Sequence, residues 1–348
     1  MEPCNLSIRL ALTIEERHSK PLYTCRFCDN IPAYNNYFAT AADNQVSVYK
    51  LSDNSLRVSV ELVQAFQDSD KTEKYYCCAW ASLGTNAPLL VVAGLNGPIK
   101  GLSLTAPFEL TSLLMGHGDA VYDLRTHPID DGLMLSASKD ESVRLWNLRT
   151  CVCIAVFAGS GGHRNAVLAI DIHPLGNTFL SSGMDTTIKI WNLEKPDICQ
   201  AIQLSDSHPR GGPLPQDFPG ELNFRTATQQ TPLFSTNQVH SNYVDSVKWV
   251  GDCVISKSVC DSIVLWAPDS PRSANSSVIL RRFKLPNFAI WYSQMDIFPP
   301  YDWFAVSNDD GKVRGGYTRK HSFLTTQKFT FPKYNTSSST PSSTTYLP

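Results

Sequence analysis

Short apolar runs with polar residues interleaved recur along the whole chain, separated by clusters of Gly, Pro, Asn, Asp and Ser. Alternation with period two sends successive side chains to opposite faces of a strand. Residues 23–27, 37–41 and 45–49 form one such group, and 76–80, 88–93 and 98–102 the next. Two stronger groups follow at 121–124, 133–136 and 143–146, then at 167–172, 178–182 and 188–191. A fifth comprises 244–249, 254–258 and 263–266. A sixth comprises 291–298, 303–307 and a strand from Lys312, with Asp309-Asp310-Gly311 as a hairpin turn between apolar strands. No long amphipathic helix pattern interrupts them, so the chain reads as all-β, built from repeated small antiparallel sheets.

Polar punctuation identifies the repeat. Gly116-His117 is followed by Asp140 and Trp146, and Gly162-His163 by Asp185 and Trp191. Gly-His early and Trp late, at a period of about 40–45 residues, marks a WD40 repeat, one four-stranded blade of a β-propeller. The expected fold is a WD40 β-propeller of the seven-bladed kind, with six blades recognisable and the last missing or incomplete. In such repeats the His, a hydroxyl, the Asp and the Trp hold each blade through a buried network. His117, Ser138, Asp140 and Trp146 are expected to form it in the third blade, and His163, Asp185 and Trp191 in the fourth. Gly183 stands where Ser138 sits, so the fourth network is expected to be thinner. His240 opens the fifth blade, and Cys260 replaces its Asp.

The spacing divides the chain. Residues 1–20 are an N-terminal segment whose Ser7 to Leu12 strand is expected to close the ring. Residues 21–314 form the propeller, and 315–348 a divergent Ser/Thr-rich tail with the composition of disorder. Within that tail, Phe323 to Phe331 suffices for one strand but not a blade. Between Trp191 and His240 the repeat is overlong, and the insertion at 194–239 is expected to be disordered or a partner-binding loop.

Composition removes several functions. Of 348 residues 42% are hydrophobic and 18% charged, enough for a folded core. A net charge of −2 gives no bulk attraction to nucleic acid or anionic lipid. No run approaches the ~20 apolar residues of a membrane helix. Ten cysteines include Cys25-x-x-Cys28, but in a strand-like run these two side chains face opposite ways, and no second pair stands nearby. No metal site, cofactor or catalytic residue is therefore expected, and the thiols read as reduced. A hydrolase triad drawn from His117, Ser138 and Asp140 lacks a Gly-x-Ser-x-Gly elbow to expose its nucleophile.

Aromatic residues at the starts of the inner strands are more informative. The third and fourth blades begin with Ala120-Val121 and Ala166-Val167, whereas the first has Tyr23, the second Tyr75-Tyr76 and the sixth Trp291-Tyr292. In a propeller these positions ring one mouth of the channel. Converging rings there would attract a quaternary ammonium through cation–π interaction, about 2 kcal/mol or more when desolvated.

The run from His240 to Asp252 with Ser256-Lys257-Ser258 resembles the extra sex combs / embryonic ectoderm development (EED) family of WD40 proteins. Cys78-Ala79-Trp80, Pro88 to Leu90, Gly116-His117-Gly118, Leu135 to Asp140, Ser182 to Asp185 and Ile290 to Tyr292 carry the same likeness. The resemblance covers about residues 5 to 313. It implies a nuclear, non-catalytic subunit of Polycomb repressive complex 2, with an Enhancer-of-zeste methyltransferase on one face. On the other it implies recognition of trimethyl-lysine on the histone H3 tail, with a cage mapping to Tyr23, Tyr76, Trp291 and Tyr292, and stimulation of methylation and gene silencing. Two features depart from the family: Gln294 replaces a basic residue beside the cage, and the final blade is absent. Leu145-Trp146-Asn147-Leu148-Arg149 gives an alternative, since it is similar to the Trp-Asp-x-Arg motif of cullin ubiquitin-ligase adaptors. A truncated isoform without function is the other.

Overall fold

Among the described residues six sheets succeed one another in chain order, each built on an antiparallel meander whose first strand is innermost. The computed structural model describes residues 12–16, 18, 20–54, 57–84, 88–104, 109–208, 224–259, 262–269, 276–284, 292–298, 302–308 and 313–318. Sheet one joins Thr24–Phe27, Tyr37–Ala42, Gln45–Asn54 and Arg57–Gln67; sheet two joins Tyr75–Ser82, Pro88–Gly94, Ile99–Ser103 and Leu110–Leu114. Sheet three contains Val121–Thr126, Leu133–Ser138, Val143–Asn147 and Val152–Phe157. Sheet four contains Val167–Ile172, Thr178–Gly183, Ile188–Asn192 and Phe234–Thr236. Sheet five contains Val244–Val250, Cys253–Ser258, Ser262–Pro268 and Ser277–Lys284. Sheet six has three strands, Met295–Phe298, Trp303–Ser307 and Val313–Tyr317. Among the described residues the propeller therefore shows six blades.

The insertion builds structure in its described part. Helix Pro196–Asp206 starts with Pro in its first turn, where a missing N–H costs nothing, and buries Ile198 and Ala201 against sheets three and four. Ala227–Gln229 then pairs in parallel with the outer strand of sheet three, and Phe234–Thr236 supplies the fourth strand of sheet four. The expectation of disorder is corrected for these residues; the Pro-rich stretch 209–223 lies outside the described residues. So do Ser7 to Ala11 of the expected closing strand, Phe323 to Phe331, and the tail from 319. The tail also begins later than expected, because residues 315–317 belong to sheet six.

Five apolar clusters cement neighbouring sheets. Ala39, Ala41, Val46 and Val48 meet Cys78, Leu90 and Val92 between sheets one and two. Val91 and Ala93 meet Val121, Leu124 and Trp146 between two and three, and Leu145 and Phe157 meet Phe179 and Trp191 between three and four. Ile190 and Leu180 meet Val247 and Trp266 between four and five, and Ile255 and Phe283 meet Met295 and Phe304 between five and six. Among the described residues no such cluster joins sheet six to sheet one. Their contacts there run through Tyr23 against Tyr292 and through Arg26, which donates to Gln294 Oε1 at 2.6 Å and lies 4.0 Å from Asp296.

The polar networks differ from expectation in one residue. In sheet three the hydroxyl is Ser136, which contacts His117 Nε2 at 2.6 Å and accepts from Trp146 Nε1 at 2.7 Å. His117 Nδ1 faces Asp140 at 2.8 Å. A carboxylate can only accept, so Nδ1 carries the proton and Ser136 donates to Nε2. Ser138, assigned to this role from sequence, lies beyond a register shift and turns its hydroxyl to the carbonyls of Ala120 and Asp119. Sheet four repeats the arrangement with His163, Asp185, Ser181 and Trp191, so its network is complete. Gly183 is there for another reason. A Cβ at that position would sit 2.3 Å from the Ala166 carbonyl oxygen, which in sheet three is the carbonyl position that Ser138 bonds. In sheet five His240 and Trp266 share Ser256, while Cys260 lies outside the described residues.

Candidate functional site

A repeated bulge decides which side chains reach the channel mouth. In sheet two the pairing skips from Tyr75 to Cys77, in sheet three from Val121 to Asp123, in sheet four from Val167 to Ala169, and in sheet five from Val244 to Ser246. The skipped residue has no ladder partner, and a bulge re-aims its side chain. Those residues are Tyr76, Tyr122, Leu168 and Asp245. Tyr76, Tyr122 and Leu168 pack together with Ala120, Ala166, Met184 and Tyr292 at one end of the channel.

Tyr23 arrives from the residue before sheet one, its N–H bonded to the Ala41 carbonyl at 3.1 Å. Its ring centroid lies 5.1 Å from that of Tyr76 and 6.3 Å from that of Tyr292, and Tyr76 and Tyr292 are 6.2 Å apart. All three contacts are edge-to-face, a favoured arrangement for aromatic quadrupoles. Three of the four residues proposed from sequence therefore converge, and Trp291 lies outside the described residues. Tyr122 joins them: its ring stacks on Tyr76 at 5.7 Å with an interplanar angle of 22° and lies 5.9 Å from Tyr292.

Tyr292 is held in an unusual way. Its φ is 68°, a left-handed conformation costly for a bulky residue, and its hydroxyl shares one proton between the carbonyls of Tyr122 at 2.6 Å and Tyr76 at 2.9 Å. Burial raises the phenols of Tyr76, Tyr122 and Tyr292 above their ordinary value, that of Tyr122 to about 12. The rings are therefore uncharged at neutral pH, and their faces offer only electron-rich apolar surface.

Below the tyrosines the channel is charged and internally matched. Lys257 Nζ lies 2.7 and 2.9 Å from the Asp245 oxygens, both residues being almost fully buried. Desolvation raises the Asp245 carboxyl even so. Further along, Arg125 bonds Asp123 at 3.2 Å and the Ile170 carbonyl at 3.1 Å, and Lys248 reaches Asp171 at 3.3 Å. Burial opposes the charge on Arg125, but Asp123, Asp171 and Asp296 outweigh it and raise its pKa. Gln294 stands where the resemblance implies a basic residue, and the Arg26 guanidinium lies against it. At the opposite mouth a cavity of about 240 Å³ opens between Phe27, Trp80, Arg125 and Lys248. Cys25 is exposed and lines this cavity, whereas Cys28 is buried.

The adaptor-like motif is used inside the molecule. Buried Asn147 donates to Ser205 Oγ at 2.8 Å and Asp206 Oδ1 at 2.9 Å, clamping the end of helix Pro196–Asp206. Arg149 pairs with Asp130 at 2.6 Å.

The "WD domain, G-beta repeat" family matches residues 108–147 and 151–192. Beyond that repeat, the chain is 39% identical to Polycomb group protein FIE2 of Zea mays over 84% of this chain and 75% of that one. It is 36% identical to Polycomb protein esc of Drosophila melanogaster over 79% of this chain and 64% of that one. It belongs to the extra sex combs/FIE family of Polycomb proteins. Among solved structures, the fold is similar to a chain in "Crystal structure of an active polycomb repressive complex 2 in the basal state", with a TM-score of 0.73 and 22% identity over 88% of this chain and 69% of that one. A chain in "Structure of ctPRC2 in complex with H3K27me3 and H3K27M" gives 0.70 and 22% over 85% and 66%. Sequence places this extra sex combs/FIE protein in its family, and the structural likeness supports the propeller.

Proposed function

We propose that this chain is a non-catalytic subunit of Polycomb repressive complex 2 that reads trimethyl-lysine on the histone H3 tail. The observation carrying this reading is the convergence of Tyr23, Tyr76 and Tyr292 from three sheets at one channel mouth. The rings touch one another, so a trimethylammonium group seats over the trio rather than between its members, within the ~6 Å reach of cation–π attraction. The family resemblance assigns Trp291, next in sequence to Tyr292, to the same cage. A trimethylated lysine keeps its charge but donates no hydrogen bond, so it gives up less hydration than a primary ammonium. The relatives are Polycomb proteins, and a solved Polycomb complex of similar fold holds H3K27me3, which supports the choice of ligand.

The opposite mouth takes the methyltransferase, of Enhancer-of-zeste type. There Ile129 and Leu175, on neighbouring loops after the inner strands of sheets three and four, are 70% and 66% exposed. An amphipathic helix of the enzyme covers them, as apolar side chains on a partner helix suit such a surface. Peptide in the tyrosine site then favours the active arrangement of the bound enzyme by linkage, which raises methylation and promotes silencing in the nucleus. Calorimetry with trimethylated and unmodified H3 peptides tests the reader role. Preference for the trimethylated peptide is expected, and equal affinity for both removes the role.

A further inference from the structure

We propose that Tyr122 is a positioning residue for this pocket, fixing the Tyr76 ring and drying the floor on which the cation rests. The inference deepens the reader function and rests on it for the identity of the ligand. Tyr122 occupies the bulge position of sheet three, as Tyr76 does in sheet two, so the two rings leave neighbouring strands at the same height. They meet nearly parallel, whereas Tyr76 meets Tyr23 and Tyr292 by its edges at 82° and 66°. One face of Tyr76 is therefore occupied by Tyr122.

Tyr122 itself is only 9% exposed, which makes it a support behind the pocket rather than a contact of the ligand. Its other neighbours, Ala120, Ala166 and Leu168, are small or aliphatic and buried. Removing its ring leaves a void into which Tyr76 can lean and water can enter. Both changes weaken cation–π attraction, because it depends on ring placement and on desolvation. The loss falls on a weakly hydrated trimethylammonium more than on a primary ammonium. Tyr122 is also tied to Tyr292 through its carbonyl, so one residue of sheet three holds two rings of the pocket.

The test uses the full chain with Tyr122→Phe, Tyr122→Leu and Tyr122→Ala. Calorimetry reads affinity for trimethylated and unmodified H3 peptides, and NMR of ring-labelled tyrosine reads the flip rate of Tyr76. Tyr122→Phe is expected to match the parent in both. Tyr122→Leu, which fills space without stacking, is expected to weaken the trimethylated peptide about three-fold, and Tyr122→Ala about ten-fold. Unmodified peptide should change by less than about two-fold in each. Tyr76 ring flips should accelerate in the Leu and Ala variants without peptide present. Parent-like selectivity in Tyr122→Ala, or parent-like flips in Tyr122→Leu, overturns the proposal. If the parent shows no preference for trimethyl-lysine, the reader function fails by itself, and the flip rates still decide whether Tyr122 positions Tyr76.

Discussion

The hydroxyl of Tyr292 crosses the channel to donate to the main-chain carbonyl of Tyr122 at 2.6 Å, linking the start of sheet six to the inner strand of sheet three. The same hydroxyl reaches the Tyr76 carbonyl in sheet two. Replacing Tyr292 with Phe keeps the ring and removes the single proton that the two carbonyls share. An unfolding free energy lower by about 1 kcal/mol is expected, the net worth of a typical hydrogen bond. Urea denaturation of parent and variant measures it.

Ser136 and Ser138 should separate cleanly. Ser136→Ala leaves both the Trp146 N–H and His117 Nε2 without a partner. Ser138→Ala removes a donor to the Ala120 carbonyl, which also accepts from the Lys139 N–H, and an acceptor of the Asp140 N–H, which lies at a partly exposed turn. Losses of about 2–3 kcal/mol and about 1 kcal/mol or less are expected from guanidinium unfolding. Equal losses would restore Ser138 to the network.

Acid should destabilise the propeller in two stages. Burial lowers the His240 imidazole from its ordinary 6.5 to about 4, with Arg282 and Lys257 adding to the effect. An unfolded chain therefore takes up a proton that the folded one refuses. The stability this contributes is full above pH 6.5 and is lost as pH falls from there towards 4. Asp140 and Asp185 are held below the usual carboxylate range by His117 and His163, against the desolvation that opposes it, and their contribution fades at lower pH still. Urea midpoints between pH 7 and 4.5 should show a shallower slope in His240→Asn than in the parent.

Asn147→Asp restores the literal Trp-Asp-x-Arg motif, yet it should loosen the fold. The new carboxylate would face that of Asp206, now 2.9 Å from the Asn147 amide nitrogen, and would lose the donation to Ser205. Hydrogen exchange across residues 196–206 is expected to rise at least ten-fold, corresponding to about 1.4 kcal/mol. Unchanged protection would show that Asn147 does not hold the helix.

Strand periodicity made the six sheets legible because an antiparallel meander writes its buried face into every second residue. Tyr122 escaped notice for a local reason. Aligning Tyr75-Tyr76 with Ala120-Val121 is one residue out of step, whereas aligning the bulges matches Tyr76 with Tyr122. Matching Tyr75 to Val121 through the Gly94 and Ser138 turns would have exposed it. Ser136 and Ser138 share strand parity, so alternation could not separate them, and the register shift beyond Ala137 decides between them. The helix Pro196–Asp206 is short and follows a repeat, so its 3.6-residue period had little length in which to show.

A propeller bonded all the way round has no first or last blade, and every sheet is protected from both sides. Among the described residues, five seams between neighbouring sheets are hydrocarbon, whereas sheets six and one meet through a guanidinium and a pair of phenol rings. In an array of repeats, stability is close to a sum of each repeat and its interfaces, so the thinnest interface governs where opening starts. Amide protection should therefore decline from sheets three and four towards the seam between six and one. A ligand resting on Tyr23 and Tyr292 together would clamp that seam from both sides.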